Sequence, residues 1–192
     1  AISKSKVLEL TDQIEHYPLS KYLDILEDPT GKLRVKDILE PYWQDKFKKR
    51  GERKLNFGYS KSTFWARLKV TNRTTEQSVW LLSHHYYLQD EVELFREVEK
   101  GLWISSKTGD TYPFSSREIE ARPFTFKIKP SLDSTYYVKI KGTANQMDLT
   151  LSSPIRFAKD QTKDNYILGL FFGLVLSMIF YNAFIFFSTR DL

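Results

Sequence analysis

From Tyr166 to Phe187 the chain reads YILGLFFGLVLSMIFYNAFIFF, an apolar run without a charged residue, bounded by Asp164 before it and Arg190 after it. At about 1.5 Å of rise per residue this run makes a helix of roughly 33 Å, which matches a bilayer hydrocarbon core of about 30 Å. A core helix of a soluble protein carries a polar stripe, whereas here leucine, isoleucine and phenylalanine occupy every face. The run predicts a transmembrane helix over 166–187. Gly169, Gly173 and Ser177 recur four apart on one face, a spacing that lets a second helix approach closely. Asn182 puts an amide inside the apolar run, where it needs a partner. These four residues predict a helix that packs in a bundle. Leu192 follows soon after, so the expectation is a fragment: an extramembrane domain with the first helix of a longer membrane protein. The plainer alternative is a single span whose glycines are incidental.

Without that helix about 165 residues remain, the size of one ordinary domain. The expected division is a domain over 1–158, a linker over 159–165, the helix over 166–187 and the start of a loop over 188–192. The chain has no cysteine, which excludes disulfides, thiolate metal sites and a cysteine nucleophile. The formal net charge of +5 owes much to Lys46, Lys48, Lys49, Arg50, Arg53 and Lys54. Such a cluster either attracts phosphate, lipid headgroups or acidic glycans or is a solvated loop, and a membrane tether argues against nucleic acid. Ala1 in place of methionine fits removal of a signal peptide or a boundary within a longer chain. Lys159 and Lys163 are offset by Asp160 and Asp164, so local charge does not set the topology.

Along the domain, Lys6–Leu10 and Ser20–Asp28 read as strands, the second running into the turn Asp28-Pro29-Thr30-Gly31. Val35, Ile38, Leu39, Trp43 and Phe47 recur at helical spacing, interrupted by Pro41. From residue 57 onwards the period becomes two. Phe64, Ala66, Leu68 and Val70 share one face of a strand, with Trp65, Arg67, Lys69 and Thr71 on a wet face opposite. Val79–Ser83, Glu91–Phe95, Leu102–Ser106, Phe124–Lys129, Thr135–Lys141 and Met147–Ser152 continue the series, separated by clusters such as Thr108-Gly109-Asp110. Short strands about ten residues apart without long helices between them predict a mainly β fold, an antiparallel β-sandwich of jelly-roll type. Phe124, Phe126, Ile128, Tyr136, Val138 and Ile140 would form its core, with Lys127, Lys129, Lys139 and Lys141 facing water.

The order GYSKSTFWARLKVTN, WLLS, DEVELF, TGD with a nearby REI, STYYVKI and LGLFFGLVLSMIFYNAFIFFSTRD resembles the second type of extracellular sensor domain in bacterial seven-transmembrane receptors with diverse intracellular signalling modules. The resemblance runs from about Val7 to the last residue. It implies a jelly-roll ectodomain similar to carbohydrate-binding modules, periplasmic or extracellular, on a protein of the bacterial inner membrane. It also implies seven helices and a cytoplasmic output such as a histidine kinase, nucleotide cyclase or phosphatase.

No catalytic constellation is evident, and neither a cofactor nor a metal site is expected. His84 and His85 are adjacent, which in a strand sends them to opposite faces, and His16 is distant. There is no phosphate-cradling glycine loop and no serine elbow. Asp90, Glu91 and Glu93 suggest calcium less than a solvated strand edge. Asn72-Arg73-Thr74 fits a glycosylation acceptor, a pattern short enough to arise by chance.

Aromatic residues make up 15% of the chain, enough to supply a platform as well as a core. Trp65 and Trp80 fall within strands and read as structural. Trp43, Trp103, Tyr112 and the pair Tyr86-Tyr87 fall in or beside loops, where flat rings stack on a sugar face or a partner. Asp110 and Arg117 flank Tyr112 and offer hydrogen bonds. Trp103, Tyr112, Asp110, Arg117, Tyr86 and Trp43 are therefore the candidate ligand-binding residues, against the alternative of a turn capped by packing aromatics. The leading expectation is a sensor for a carbohydrate or another small extracytoplasmic ligand, acting through the helix. The runner-up is an interaction module forming a homodimer or docking a partner ectodomain. A membrane-anchored glycan hydrolase would need two carboxylates across a groove, and the sequence pairs none.

Overall fold

The computed structural model describes residues 6–49 and 55–189. Arg50, Arg53 and Lys54 of the basic cluster, and Arg190 beyond the helix, lie outside the described residues. In chain order the elements are β1 (Leu8–Leu10), β2 (His16–Pro18), β3 (Leu23–Asp28), α1 (Val35–Ile38), α2 (Pro41–Gln44), β4 (Lys48–Lys49), β5 (Leu55–Tyr59) and β6 (Thr63–Asn72). They continue with β7 (Trp80–His84), β8 (Glu91–Glu99), β9 (Leu102–Thr108), a 3-10 turn at Phe114–Ser116 and β10 (Phe124–Ile128). The last are β11 (Ser134–Lys141), β12 (Ala144–Met147), β13 (Leu149–Ser152) and α3 (Pro154–Thr189). The chain divides into two compact units, 1–154 and 155–192.

The first unit is a sandwich. Its larger sheet runs β4-β3-β6-β11-β8-β9, the smaller runs β10-β7-β13-β2, and β5 and β12 form a separate pair. The expected antiparallel pairing holds with one exception: β1 lies parallel to β6, Leu8 opposite Val70. β6 is ten residues long, which lets one edge serve two partners, β3 along 63–68 and β1 along 70–72. Phe64, Ala66, Leu68 and Val70 point from β6 into a core closed from the other sheet by Trp80, Leu82, Phe124, Phe126 and Leu151. Tyr136, Val138 and Ile140 join them, as the alternation predicts.

The opposite face of the larger sheet departs from its expected wetness. Trp65 is fully buried there, in a second apolar cluster with Leu26, Ile38, Phe47, Phe95 and Tyr137. The cover is the segment bearing α1 and α2, and Pro41, which interrupts the helical pattern, is the first residue of α2. One-turn helices do not stand alone in water. Ile38, 0% exposed, anchors them at a gain of about 2 kcal/mol for a buried aliphatic side chain. Asp28 sets their approach by accepting hydrogen bonds from the Thr30 and Leu33 backbone N–H groups at 3.0 and 2.9 Å.

The second unit is helical. α3 begins at Pro154, so 159–165, expected as a linker, is part of the helix together with the apolar run. The helix is long and apolar enough to cross a membrane, with a mean hydropathy of 2.2 over its apolar window. Within it Asn182 donates to the Met178 carbonyl at 2.7 Å and Ser177 to the Gly173 carbonyl at 2.9 Å.

Candidate functional site

Directly paired residues on neighbouring strands share a face of the sheet. On the outer side of the larger sheet that rule joins Asp24 to Arg67, Arg67 to Tyr137 and Tyr137 to Phe95. It also joins Trp65 to Lys139, Lys139 to Glu93, Glu93 to Lys107 and Glu97 to Trp103. One continuous face thus carries aromatic, polar and charged groups from β3 to β9.

Its aromatic half is centred on Tyr137. The rings of Trp103 and Phe47 stand 5.3 and 5.9 Å from it, and half-buried Trp43 packs against the same cluster from α2. Beneath lies a polar network. Arg67 meets Asp24 at 3.0 Å and donates to Gln44 Oε1 at 2.8 Å, while Gln44 Nε2 lies 2.9 Å from the Tyr137 hydroxyl. Burial raises the Tyr137 phenol above its ordinary value, so it stays protonated and can donate.

The other half is a charge ladder. Lys107 Nζ lies 2.8 Å from Glu91, and Lys139 lies 3.6 and 3.8 Å from Glu91 and Glu93. Burial pushes the Glu91 carboxyl up, but the hydrogen bond from Lys107 and the charges of Lys107, Lys139 and Lys141 outweigh it and hold the group below its ordinary value. Hydrogen bonds to Glu91 and Tyr112 raise the Lys107 ammonium in turn. These carboxylates are therefore occupied by lysines, and among the described residues no group of His, Asp and Glu is placed to hold a metal ion.

The six candidate residues separate into groups. Trp43 and Trp103 meet at the Tyr137 cluster. Tyr112 joins the same face farther along, with Lys107 Nζ 5.4 Å from its ring. Asp110 is exposed, and its backbone N–H donates to the Gln89 carbonyl at 2.9 Å. Gly109 makes that turn feasible, since a Cβ there would fall 2.0 Å from the Asp90 carbonyl oxygen. Arg117 is turned inward: its guanidinium lies 4.6 and 4.7 Å from the rings of Phe114 and Phe124 and donates to the carbonyls of Ala121 and Arg122. Tyr86 sits half-buried on the loop after β7, next to Tyr87, whose ring has Arg122 5.4 Å above it. Tyr137, Gln44 and Arg67 were not singled out from the sequence. The available signal was two aromatic residues, Trp65 and Tyr137, at strand positions that alternation assigns to solvent.

A sequence model of the family described as 7TMR-DISM extracellular 2 matches residues 20–153, more than half of the chain. The chain belongs to this family. No curated protein matches it. As a 7TMR-DISM extracellular 2 domain, the sandwich is an extracellular sensor domain of seven-transmembrane receptors. The match stops one residue before α3, so the sensor domain is followed directly by the membrane-capable helix. Membership makes the bilayer, further transmembrane helices and cytoplasmic parts the partners of the domain. It also gives the domain a receptor role, on an inner-membrane protein with its N-terminal part outside the cytoplasm.

Proposed function

We propose that this sensor domain binds a small extracytoplasmic ligand, a carbohydrate, on the outer face of its larger sheet. The observation that carries the reading is the convergence of two half-buried tryptophans, Trp43 and Trp103, at Tyr137 above the Arg67 and Gln44 network. Aromatic faces take the C–H side of a sugar ring, and the half-buried Gln44 amide beside them is the nearest polar group for its hydroxyls, held in place by buried Arg67 and Tyr137. Such a ligand signals only through different affinity for two states of the receptor. The test is thermal unfolding of the chain in detergent micelles with a panel of neutral oligosaccharides. A ligand at a hundred times its dissociation constant adds about 2.7 kcal/mol of apparent stability. Trp103→Ala is expected to weaken that ligand at least tenfold. Absence of any shift, or a shift indifferent to Trp103→Ala, rejects the proposal.

A second reading, docking of a second copy or a partner ectodomain, is favoured by one feature. Val98, Leu102 and Ile104 stand 50, 52 and 41% exposed around the β8–β9 hairpin, at the edge of the larger sheet. The edge strand β10 is treated differently: the Lys127 carbonyl accepts from Arg96 at 2.7 Å and the Lys127 N–H donates to Glu118 at 3.2 Å. Light scattering that shows a concentration-dependent dimer, lost on Ile104→Lys, is the expected result of this reading. A monomer at all concentrations leaves a homodimer without support.

A further inference from the structure

Where β5 ends, β8 begins and β11 turns into β12, a cleft of about 580 Å³ opens beside Tyr59, Lys61, Asp90, Lys141 and Gly142. Tyr59 is 89% exposed, an aromatic ring left in water at the end of a strand. Its position is set by pairing with Ala144 and by the Ser60 N–H, which donates to the Thr143 carbonyl at 3.1 Å.

Buried amides support the lining from behind. Asn145, 1% exposed, donates from Nδ2 to the carbonyls of Ser60 and Gly142, both at 2.9 Å, and accepts from Gln89 Nε2 at 3.0 Å. Gln89 is 0% exposed and its Oε1 has no partner. Gly142 lies over this pair, where a Cβ would stand 2.6 Å from Gln89 Nε2 and 3.4 Å from the Asp90 carboxyl carbon. The two turns bordering the cleft are thus tied together from beneath, and the glycine lets the β11–β12 turn approach Gln89 and Asp90 this closely.

The charges around the cleft are unspent. On the adjoining sheet face Glu91, Glu93, Lys107 and Lys139 all meet an opposite charge within 4 Å. Among the described residues the Asp90 carboxylate and the Lys61 and Lys141 ammonium groups form no such pair, and Lys141 acts on Glu91 only through space. Two cations, one acceptor and an apolar ring around one opening specify a ligand with an anionic group, hydroxyl donors and a flat or C–H face.

We infer that this cleft is a second binding site, distinct from the Tyr137 cluster, and that it takes a hydroxylated cyclic carboxylate such as a uronate. The carboxylate sits between Lys61 and Lys141, ring hydroxyls donate to Asp90, and the C–H face of the ring lies on Tyr59.

The test is calorimetric titration of the full chain in detergent micelles with glucuronate and galacturonate, their neutral parents glucose and galactose, and inorganic sulfate. The expected result is binding of a uronate at least tenfold tighter than its neutral parent and than sulfate. Tyr59→Ala and Lys141→Gln are each expected to weaken it at least fivefold, with Trp103→Ala without effect. Tyr59 and Lys141 are exposed, so both variants are expected to melt as the parent does, which circular dichroism checks. Equal affinity for a uronate and its neutral parent overturns the proposal, as does sulfate binding as tightly, insensitivity to Tyr59→Ala, or no uronate binding at millimolar concentration. Uronate binding lost in Trp103→Ala but kept in Tyr59→Ala moves the ligand to the Tyr137 cluster and also overturns it.

Discussion

The imidazole of His84 is fully enclosed by the smaller sheet and its Nδ1 lies 3.2 Å from the Asp148 carbonyl. A carbonyl only accepts, so the proton resides on Nδ1, leaving Nε2 as a buried acceptor without a partner. Burial lowers its pKa from 6.5 to about 4, against the smaller opposing effect of Asp148. The unfolded chain therefore takes up this proton first as the pH falls. Stability owed to the neutral ring is complete above pH 6.5 and is lost between there and about pH 4. The loss amounts to about 3 kcal/mol by the linkage of pKa to folding. Urea unfolding of the parent at pH 7 and pH 4.5 is expected to show this fall, and His84→Gln to flatten it. Its neighbour His85 points elsewhere, with Nε2 2.9 Å from the Thr150 hydroxyl. The Asn72 side chain is likewise engaged, its Oδ1 accepting from the Thr74 hydroxyl at 2.7 Å within the short acceptor pattern.

Among the elements, the helical segment between β3 and β4 decides the character of the outer face. Its polar attachment is Arg67 of β6, which donates to Gln44 Oε1 at 2.8 Å and is paired with Asp24 of β3, the two charged side chains being 10 and 6% exposed. Removing one member of a buried pair leaves an uncompensated charge and costs roughly 3–5 kcal/mol, whereas replacing both by apolar groups is far milder. Arg67→Ala is expected to lower the urea midpoint accordingly, and Asp24→Leu with Arg67→Met to recover most of the loss. A double variant as unstable as the single one contradicts this account. The same segment marks the limit of what the sequence discloses. Alternation in β6, β10 and β11 revealed the inner core because those strands bury one face in step with the pleat. It misassigned the outer face because cover comes from residues 33–47, whose weak helical pattern does not say where it docks. Trp43 and Trp103 could be named from their type, but their meeting at Tyr137 depends on pairing between strands far apart in the chain. Arg117 has the composition of a fork for a ligand, but the Phe114 ring packs on its guanidinium and the carbonyls of Ala121 and Arg122 accept from it. Short pieces such as β2, β4, β5 and β12 escaped notice because two to five residues hold too little periodicity to read.

At the scale of the whole molecule, β13 is paired on both sides, with β7 and β2, and after Ser153 the backbone enters α3 at Pro154. Proline suits that entry, since the first turn of a helix needs no N–H from it. The 36 residues of α3 span about 54 Å, well beyond a hydrocarbon core of about 30 Å, so the helix is continuous from its start through the apolar run. A continuous helix preserves angular phase as a crankshaft does. Each residue gained or lost between Pro154 and Tyr166 turns the Gly169, Gly173 and Ser177 face by about 100° relative to the first turn of the helix, while moving it only about 1.5 Å along the axis. The azimuth of that face along the helix is thus written into the count of residues that precede the apolar run.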